Sequence, residues 1–291
     1  MAAHRLSVFS LLLAALLWGL FWYPLRWLEA HGVPGLWAAL VIYGGTLVVA
    51  LPMLRGQASH LRGYPGLLAV VALGSGWTNT MFILAMLDGN VLRVMLLFYL
   101  APAWATLFGW AFLGERITRA FLLALAIALI GAAVMLWSPQ AGMPWPQTRA
   151  DWLALSAGMA FAITNTAVRR LVSVPIRVKA PVAWLGAVAF ALVLLAVGAE
   201  PAAAPPLGYA VLVGFVFGAV VMVAMTVAVQ YGVSRMPVHL SAVILLSQLV
   251  VGAVSAHVLT DEVVLLREWV GGALIALAAY LVGTRRTEKQ P

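Results

Sequence analysis

Phe112-Leu113-Gly114-Glu115-Arg116-Ile117-Thr118 closes one long apolar run and opens the next. Leu259-Thr260-Asp261-Glu262-Val263-Val264 does the same near the far end of the chain. Glu115 and Glu262 stand 147 residues apart, and each is followed by a run rich in Gly, Ala and Leu. A second correspondence pairs Trp18 to Arg26 with Phe161 to Arg169 at an offset of 143. The chain therefore divides into two similar halves, 1–148 and 149–291, with the Pro- and Gln-bearing stretch 138–150 as the linker.

The solvent of those halves follows from composition. Of 291 residues, 64% are hydrophobic and 9% are charged, where a soluble domain carries about 25% charged residues. Mean hydropathy is +1.04. Such a chain cannot clothe a water-facing surface, so lipid is its main solvent. Apolar runs of roughly twenty residues recur from end to end, each long enough to cross a hydrocarbon core of about 30 Å. In lipid only helices and closed barrels satisfy the backbone internally. The runs are continuous in Leu, Ala, Val and Ile with no period of two, which excludes a barrel. The first run follows His4 and Arg5 but is too long for a signal-peptide core, so it reads as an uncleaved first helix.

The runs predict spans at 7–29, 34–54, 64–87, 91–113, 118–137, 151–171, 180–198, 208–231, 238–258 and 264–283. With the N-terminus inside, 13 of the 17 Lys and Arg fall in inner loops, while Arg26, Arg93, Arg149 and Arg267 fall outside. Acidic residues run the other way, with only Glu115 and Glu288 inside. This separation places both termini in the cytoplasm and requires an even number of spans. It also accounts for the net charge of +8 without nucleic acid. Five spans per half is odd, so the halves lie in opposite senses. The expected fold is an all-α integral membrane protein with ten transmembrane helices in two inverted five-helix repeats, the arrangement of many secondary transporters.

The pattern resembles the drug/metabolite transporter superfamily in its ten-span EamA-type exporter form, over nearly the whole chain. The resemblance is carried by Trp18-Gly19, by Ala85-Met86-Leu87, and by Pro102 followed by residues 112–118. Asp151-Trp152-Leu153-Ala154-Leu155 with Arg169-Arg170, and Thr260-Asp261-Glu262, complete it. Two departures stand out. Leu249 occupies the place where the family often repeats the proline of helix 4, and Thr260-Asp261 replaces the second half's usual Leu-Gly. The resemblance implies export of amino acids or related small metabolites across the inner membrane. The tryptophan-rich core is most similar to the aromatic and neutral amino-acid exporter branch. Other organic solutes, such as drugs or nucleosides, are the alternative cargo, and a scaffold or membrane enzyme the alternative class.

Uncharged polar and aromatic side chains gather at mid-depth, and they are the candidate substrate contacts: Trp18, Trp22, Trp77, Thr78, Asn79, Tyr99, Trp104, Phe161, Asn165 and Gln248. An unpaired amide in hydrocarbon costs several kcal/mol, on the order of a water-to-alkane transfer. Asn79, Asn165 and Gln248 must therefore face protein or a watery cavity. They would hydrogen-bond the polar ends of a zwitterion while rings pack its side chain. The competing reading is interhelical glue. Pro24 and Pro102 interrupt apolar runs and are candidate hinges, or else static kinks. Glu115 and Arg116 are a candidate gating pair at the inner boundary, or else a solvated loop pair. Arg26 and Arg93 read as snorkelling side chains. Gly214 and Gly218, four apart, read as a packing face.

The 291 residues include no cysteine, which excludes thiolate chemistry and disulfides. No metal cluster, phosphate loop or catalytic triad is visible in the sequence, so an enzyme lacks machinery and no cofactor or metal is expected. The expected partners are a small-molecule substrate and the bilayer, with a monomeric chain. No carboxylate lies mid-span, so nothing marks a proton or sodium site. Reconstituted protein should accordingly move its substrate without an imposed pH or Na⁺ gradient; strict dependence of vesicle flux on either gradient would contradict a neutral path.

Overall fold

The computed structural model describes residues 2–33, 35–89, 91–137, 146–198, 205–259 and 265–283. Glu262 and its neighbours 260–264, and most of the expected linker, lie outside these residues. Every regular element among them is helical. In chain order these are α1 (Ala2–Gly19), α2 (Trp22–Ala30), α3 (Gly35–Leu54), the short α4 (Ala58–Gly63), α5 (Pro65–Asp88), α6 (Val91–Phe98), α7 (Ala101–Leu113) and α8 (Arg119–Leu136). The second half follows with α9 (Arg149–Arg170), α10 (Ile176–Ala196), α11 (Tyr209–Phe217), α12 (Val223–Arg235), α13 (Val238–Leu245), α14 (Ser247–Leu259) and α15 (Leu266–Gly283). A π-helical turn, Gly218–Met222, joins α11 to α12 without a break in direction.

Eight stretches among the described residues are long and apolar enough to cross a membrane, against ten expected. The other two expected spans, the sixth and the tenth, coincide with α9 and α15. α9 is packed inside the bundle and is more polar in composition, whereas α15 packs on α8 with Trp269, Val270, Leu277 and Tyr280 exposed. α9 carries Arg149, Asp151, Thr164, Asn165, Thr166, Arg169 and Arg170, and the 18-residue α15 opens on Arg267 and Glu268. The expected seventh span starts earlier than its hydropathy suggests, at Ile176, and takes Lys179 into the helix.

The packing partners obey a simple rule: exchanging the two halves maps each main contact onto another. α1 packs on α12, and α5 on α9; α3 packs on the α11–α12 stretch, and α10 on α5. The α6–α7 pair meets α9 as the α13–α14 pair meets α1. Two contacts map onto themselves: α3 with α10, and α8 with α15. Small residues permit these approaches. A Cβ on Gly218 would collide with the Ile42 carbonyl of α3, and one on Gly186 of α10 with the Ala72 carbonyl of α5. Gly214 lies beside Val41 and Leu28 in the same groove as Gly218. Close backbone approach is the currency of helix association in lipid, where no hydrophobic force separates helix from solvent.

Gly218→Ala should therefore lower the thermal unfolding midpoint in detergent, by an amount corresponding to about 1–3 kcal/mol of overpacking. Gly44→Ala, where a Cβ would meet nothing within 4 Å, is the matched control and should leave the midpoint unchanged or slightly raised.

Candidate functional site

Two helices are interrupted at matching points. Pro102 lacks an N–H, so the Phe98 carbonyl has no helical donor and α6 stops there. The chain steps through Tyr99 and Leu100, with the Ala103 N–H donating to the Leu100 carbonyl at 2.9 Å, and resumes as α7. In the second half α13 stops at Leu245 and α14 resumes at Ser247 without any proline. There the Ser247 hydroxyl donates to the Ile244 carbonyl at 2.7 Å, and the Leu246 and Leu249 N–H groups close tighter turns at 3.2 and 3.0 Å. The pieces have equal lengths, 8 and 13 residues in each half. α1 and α2 part similarly ahead of Pro24, where the Leu20 carbonyl accepts from Tyr23 instead.

A glycine of the opposite half sits against each interruption. A Cβ on Gly158 of α9 would lie 2.5 Å from the freed Phe98 carbonyl, and one on Gly19 of α1 would lie 2.7 Å from the Gln248 carbonyl. Where the interruptions meet, the Tyr99 hydroxyl lies near the Gln248 side chain. Phe98 carries rings around this junction: Tyr99 edge-on at 5.4 Å, Phe161 at 6.0 Å and Phe82 at 4.8 Å. Trp104, stacked on Phe108 at 6.3 Å, packs on Ala105, Ala162 and Ala242, between α7, α9 and α13. Its indole N–H is buried and has no acceptor. One turn along α9, Asn165 is buried to 6% exposure.

The remaining expected contacts lie elsewhere. Asn79 accepts a 2.6 Å bond from Tyr43 of α3 and donates to the Ser75 carbonyl at 2.7 Å. Thr78, also buried, donates to the Ala157 carbonyl at 3.4 Å. Trp77 is half-exposed, donating to Ser156 at 3.1 Å with its edge toward Phe190. Trp22 donates to Ser255 of α14 at 2.9 Å, and Trp18 stands edge-on to Phe21 at 5.2 Å. Tyr99, Trp104, Phe161, Asn165 and Gln248 thus surround the junction, while Trp77, Thr78 and Asn79 tie α5 to its neighbours and Trp22 ties α2 to α14. Two surface grooves, one of about 260 Å³ between α14 and α15 near Trp269 and one near Trp110 and Leu122, touch none of these residues.

Residues 5–137 match the EamA-like transporter family. The matched stretch is the first half, including the Pro102 interruption and Glu115. No curated protein matches the chain. Among solved structures, one described only as the crystal structure of a protein shares the fold at a TM-score of 0.75, with 20% identity over 96% of this chain and 98% of that one. The first half is thus similar to a transporter family, and eight stretches among the described residues are long and apolar enough to cross a membrane.

Polar locks close both ends of the bundle. At one end Glu115 does not pair with Arg116, which is exposed while Glu115 is 2% exposed. The Glu115 carboxylate accepts the Val238 N–H at 2.9 and 3.1 Å and meets His239 Nδ1 at 2.5 Å. Nearby, Lys179 is buried and spends its ammonium on the Leu171 and Val168 carbonyls, at 3.0 and 3.4 Å, and on Ser234 Oγ at 2.7 Å. Those carbonyls sit at the C-terminus of α9, where a cation is favoured. Arg169 and Arg170 donate to the Ser234 and Phe112 carbonyls at 2.7 and 2.8 Å. At the other end Arg93 does not snorkel: its Nε donates to Asp151 at 2.8 Å. Asp151 also completes a capping box with Thr148. Tyr43, Ser255, Lys179 and His239 were not among the residues singled out from the sequence. Lys179 and His239 carried a usable signal, polar groups beside Pro181 and Pro237 at the mouths of apolar runs.

With side chains 11% and 2% exposed, the Arg93–Asp151 pair is desolvated. Asp151→Asn should destabilise by about 3–5 kcal/mol, the cost of stranding one partner of a buried pair. In a double-mutant cycle with Arg93→Ala, the two losses should be strongly non-additive in unfolding midpoint.

Proposed function

We propose that the protein is a secondary transporter that exports neutral or aromatic amino acids, or related small metabolites, across the inner membrane. It works as a monomer by alternating access between two inverted halves, 1–148 and 149–291, with both termini cytoplasmic. One observation carries this reading. The two interrupted helices, one from each half, meet at Tyr99 and Gln248 beside the buried Trp104 indole N–H, which has no protein partner among the described residues, and the buried Asn165. Interrupted helices at a repeat interface are where secondary transporters bind substrate, because irregular backbone in a membrane is tolerated only where it is buried or lines a path.

The chemistry suits a zwitterion. A buried donor without an acceptor costs about 1–3 kcal/mol, and a carboxylate brought to the Trp104 N–H would recover it. Phe98, Phe161 and Phe108 offer ring surface for an apolar or aromatic side chain, and Tyr99 with Gln248 supplies acceptors for an ammonium. The exchange symmetry of the helix contacts supports the inverted-repeat reading. The main contacts of one half recur in the other, so that rocking one half on the other would exchange one packing for its counterpart.

Counterflow in vesicles with a panel of labelled amino acids, nucleosides and cationic drugs tests this. Neutral and aromatic amino acids should exchange fastest. Trp104→Phe, Asn165→Leu and Gln248→Leu should each reduce that exchange at least tenfold at unchanged expression. Exchange confined to nucleosides or drugs would overturn the substrate class, and full activity in all three variants would overturn the pocket.

A further inference from the structure

The Leu113-Gly114-Glu115 turn is built to deliver a carboxylate across the interface between halves. Gly114 ends α7 with φ +65°, a left-handed conformation that reverses the chain. The Glu115 N–H then donates back to the Gly109 carbonyl at 3.0 Å. The side chain tucks beneath Gly109, whose missing Cβ leaves its seat: one built there would lie 2.6 Å from Glu115 Oε2. The carboxylate faces the first turn of α13, which has no cap of its own because its N-cap is Pro237. Glu115, 123 residues away in sequence, supplies that cap by accepting the Val238 N–H on both oxygens. An anion is favoured at a helix N-terminus by the unpaired N–H groups and the helix dipole together. His239 Nδ1 and the edge-on ring of Phe121, 4.4 Å from the imidazole, complete the seat.

Two features make this more than a static cap. α13 is a separate eight-residue piece, cut from α14 at Leu246. Its cap also comes from the other half, across the contact between α7 and α13. We propose that Glu115 is the latch of its end of the transporter: its carboxylate must leave the N-terminus of α13 before that end opens. The charged groups around it are all basic. Arg169 of α9 lies within electrostatic reach and is anchored on the Ser234 carbonyl. Lys179 of α10 is held by Ser234 Oγ, Arg235 of α12 stacks on Tyr231, Arg170 binds the Phe112 carbonyl, and Arg116 and Arg119 are exposed. Arg169 thus favours the seated carboxylate, while the helix terminus and His239 hold it. This inference rests on the alternating-access reading above and assigns Glu115 as a positioning residue, not a substrate contact.

The chain has no native cysteine, so Ser241→Cys places a single thiol on α13, one turn from Val238 and 1% exposed. Its labelling by a membrane-impermeant maleimide, applied to the Glu115 face of vesicles, reports opening without any transport assay. With the latch intact the thiol should be protected. In E115Q/S241C labelling should rise about tenfold or more, as a population shift toward the open form, and H239L/S241C should rise by less. Should E115Q fail to fold, Gly109→Ala with S241C crowds the seat while keeping the charge, and labelling should rise there too. Unchanged labelling in a folded variant, or a lowered unfolding midpoint with unchanged labelling, would make Glu115 a static cap and overturn the latch. Wild-type counterflow measured alongside separates the two failures: no flux sinks the transporter reading, whereas flux with unchanged labelling sinks only the latch.

Discussion

Every backbone N–H and C=O in a bilayer must find a partner inside the protein, and the rest of this structure follows from where the chain does and does not meet that demand. Continuous helices meet it automatically. The interruptions at Tyr99 and at Leu246 do not, so each is buried against a glycine of the opposite half, Gly158 or Gly19. The first is forced by Pro102 and frees the Phe98 carbonyl; the second is held open by the Ser247 hydroxyl. Different chemistry yields the same geometry, with pieces of equal length. The place where the demand is hardest to meet is also where the Trp104 indole N–H is buried without an acceptor among the described residues, beside the buried Asn165.

Around this junction the bundle is tied at its two ends rather than in its middle. Asp151 and Arg93 bind α9 to α6, with the Thr148 hydroxyl capping α9 and the Thr148 N–H donating to the same Asp151 carboxylate. Glu115, Lys179 and Arg169 bind the ends of α7, α9, α10, α12 and α13 to one another. A middle held mainly by small-residue packing and single hydroxyl bonds, between ends held by charge, is in keeping with the proposed opening of one end at a time. Charged bonds can be exchanged for water at the membrane surface at modest cost, whereas mid-membrane charges cannot.

Much of the helical layout was legible in the sequence because hydropathy and turn chemistry are local. The apolar runs, Pro24, Pro102 and Gly114 announced most helix boundaries without reference to any partner. The interruption at Leu246 was not legible, since a serine hydroxyl turned onto its own helix leaves no breaker residue. Hydropathy also started the seventh span too late, because Lys179 looks like a loop residue until the carbonyls of Val168 and Leu171 are brought to it by folding. The candidate site was legible as a list but not as a place. Tyr99, Trp104, Phe161, Asn165 and Gln248 converge, whereas Asn79 turns to Tyr43 and Trp22 to Ser255, both distant in sequence. Glu115 was singled out at the inner boundary, but with Arg116 as its partner. Adjacency to Arg116 suggested a local pair, and the positive φ at Gly114 sends the carboxylate across the molecule instead.

The central claim is that the two halves rock about the junction of interrupted helices, opening one end as the other closes. Spin labels on cysteines replacing the exposed Arg116 and Arg235 would report the Glu115 end, and labels replacing the exposed Asp88 and Val258 the opposite end. Pulsed dipolar distances should then shift reciprocally in reconstituted protein when transported solute is added, one pair drawing apart as the other draws together. Distances that stay fixed at both ends, or that widen together, in protein shown to transport that solute would contradict the account.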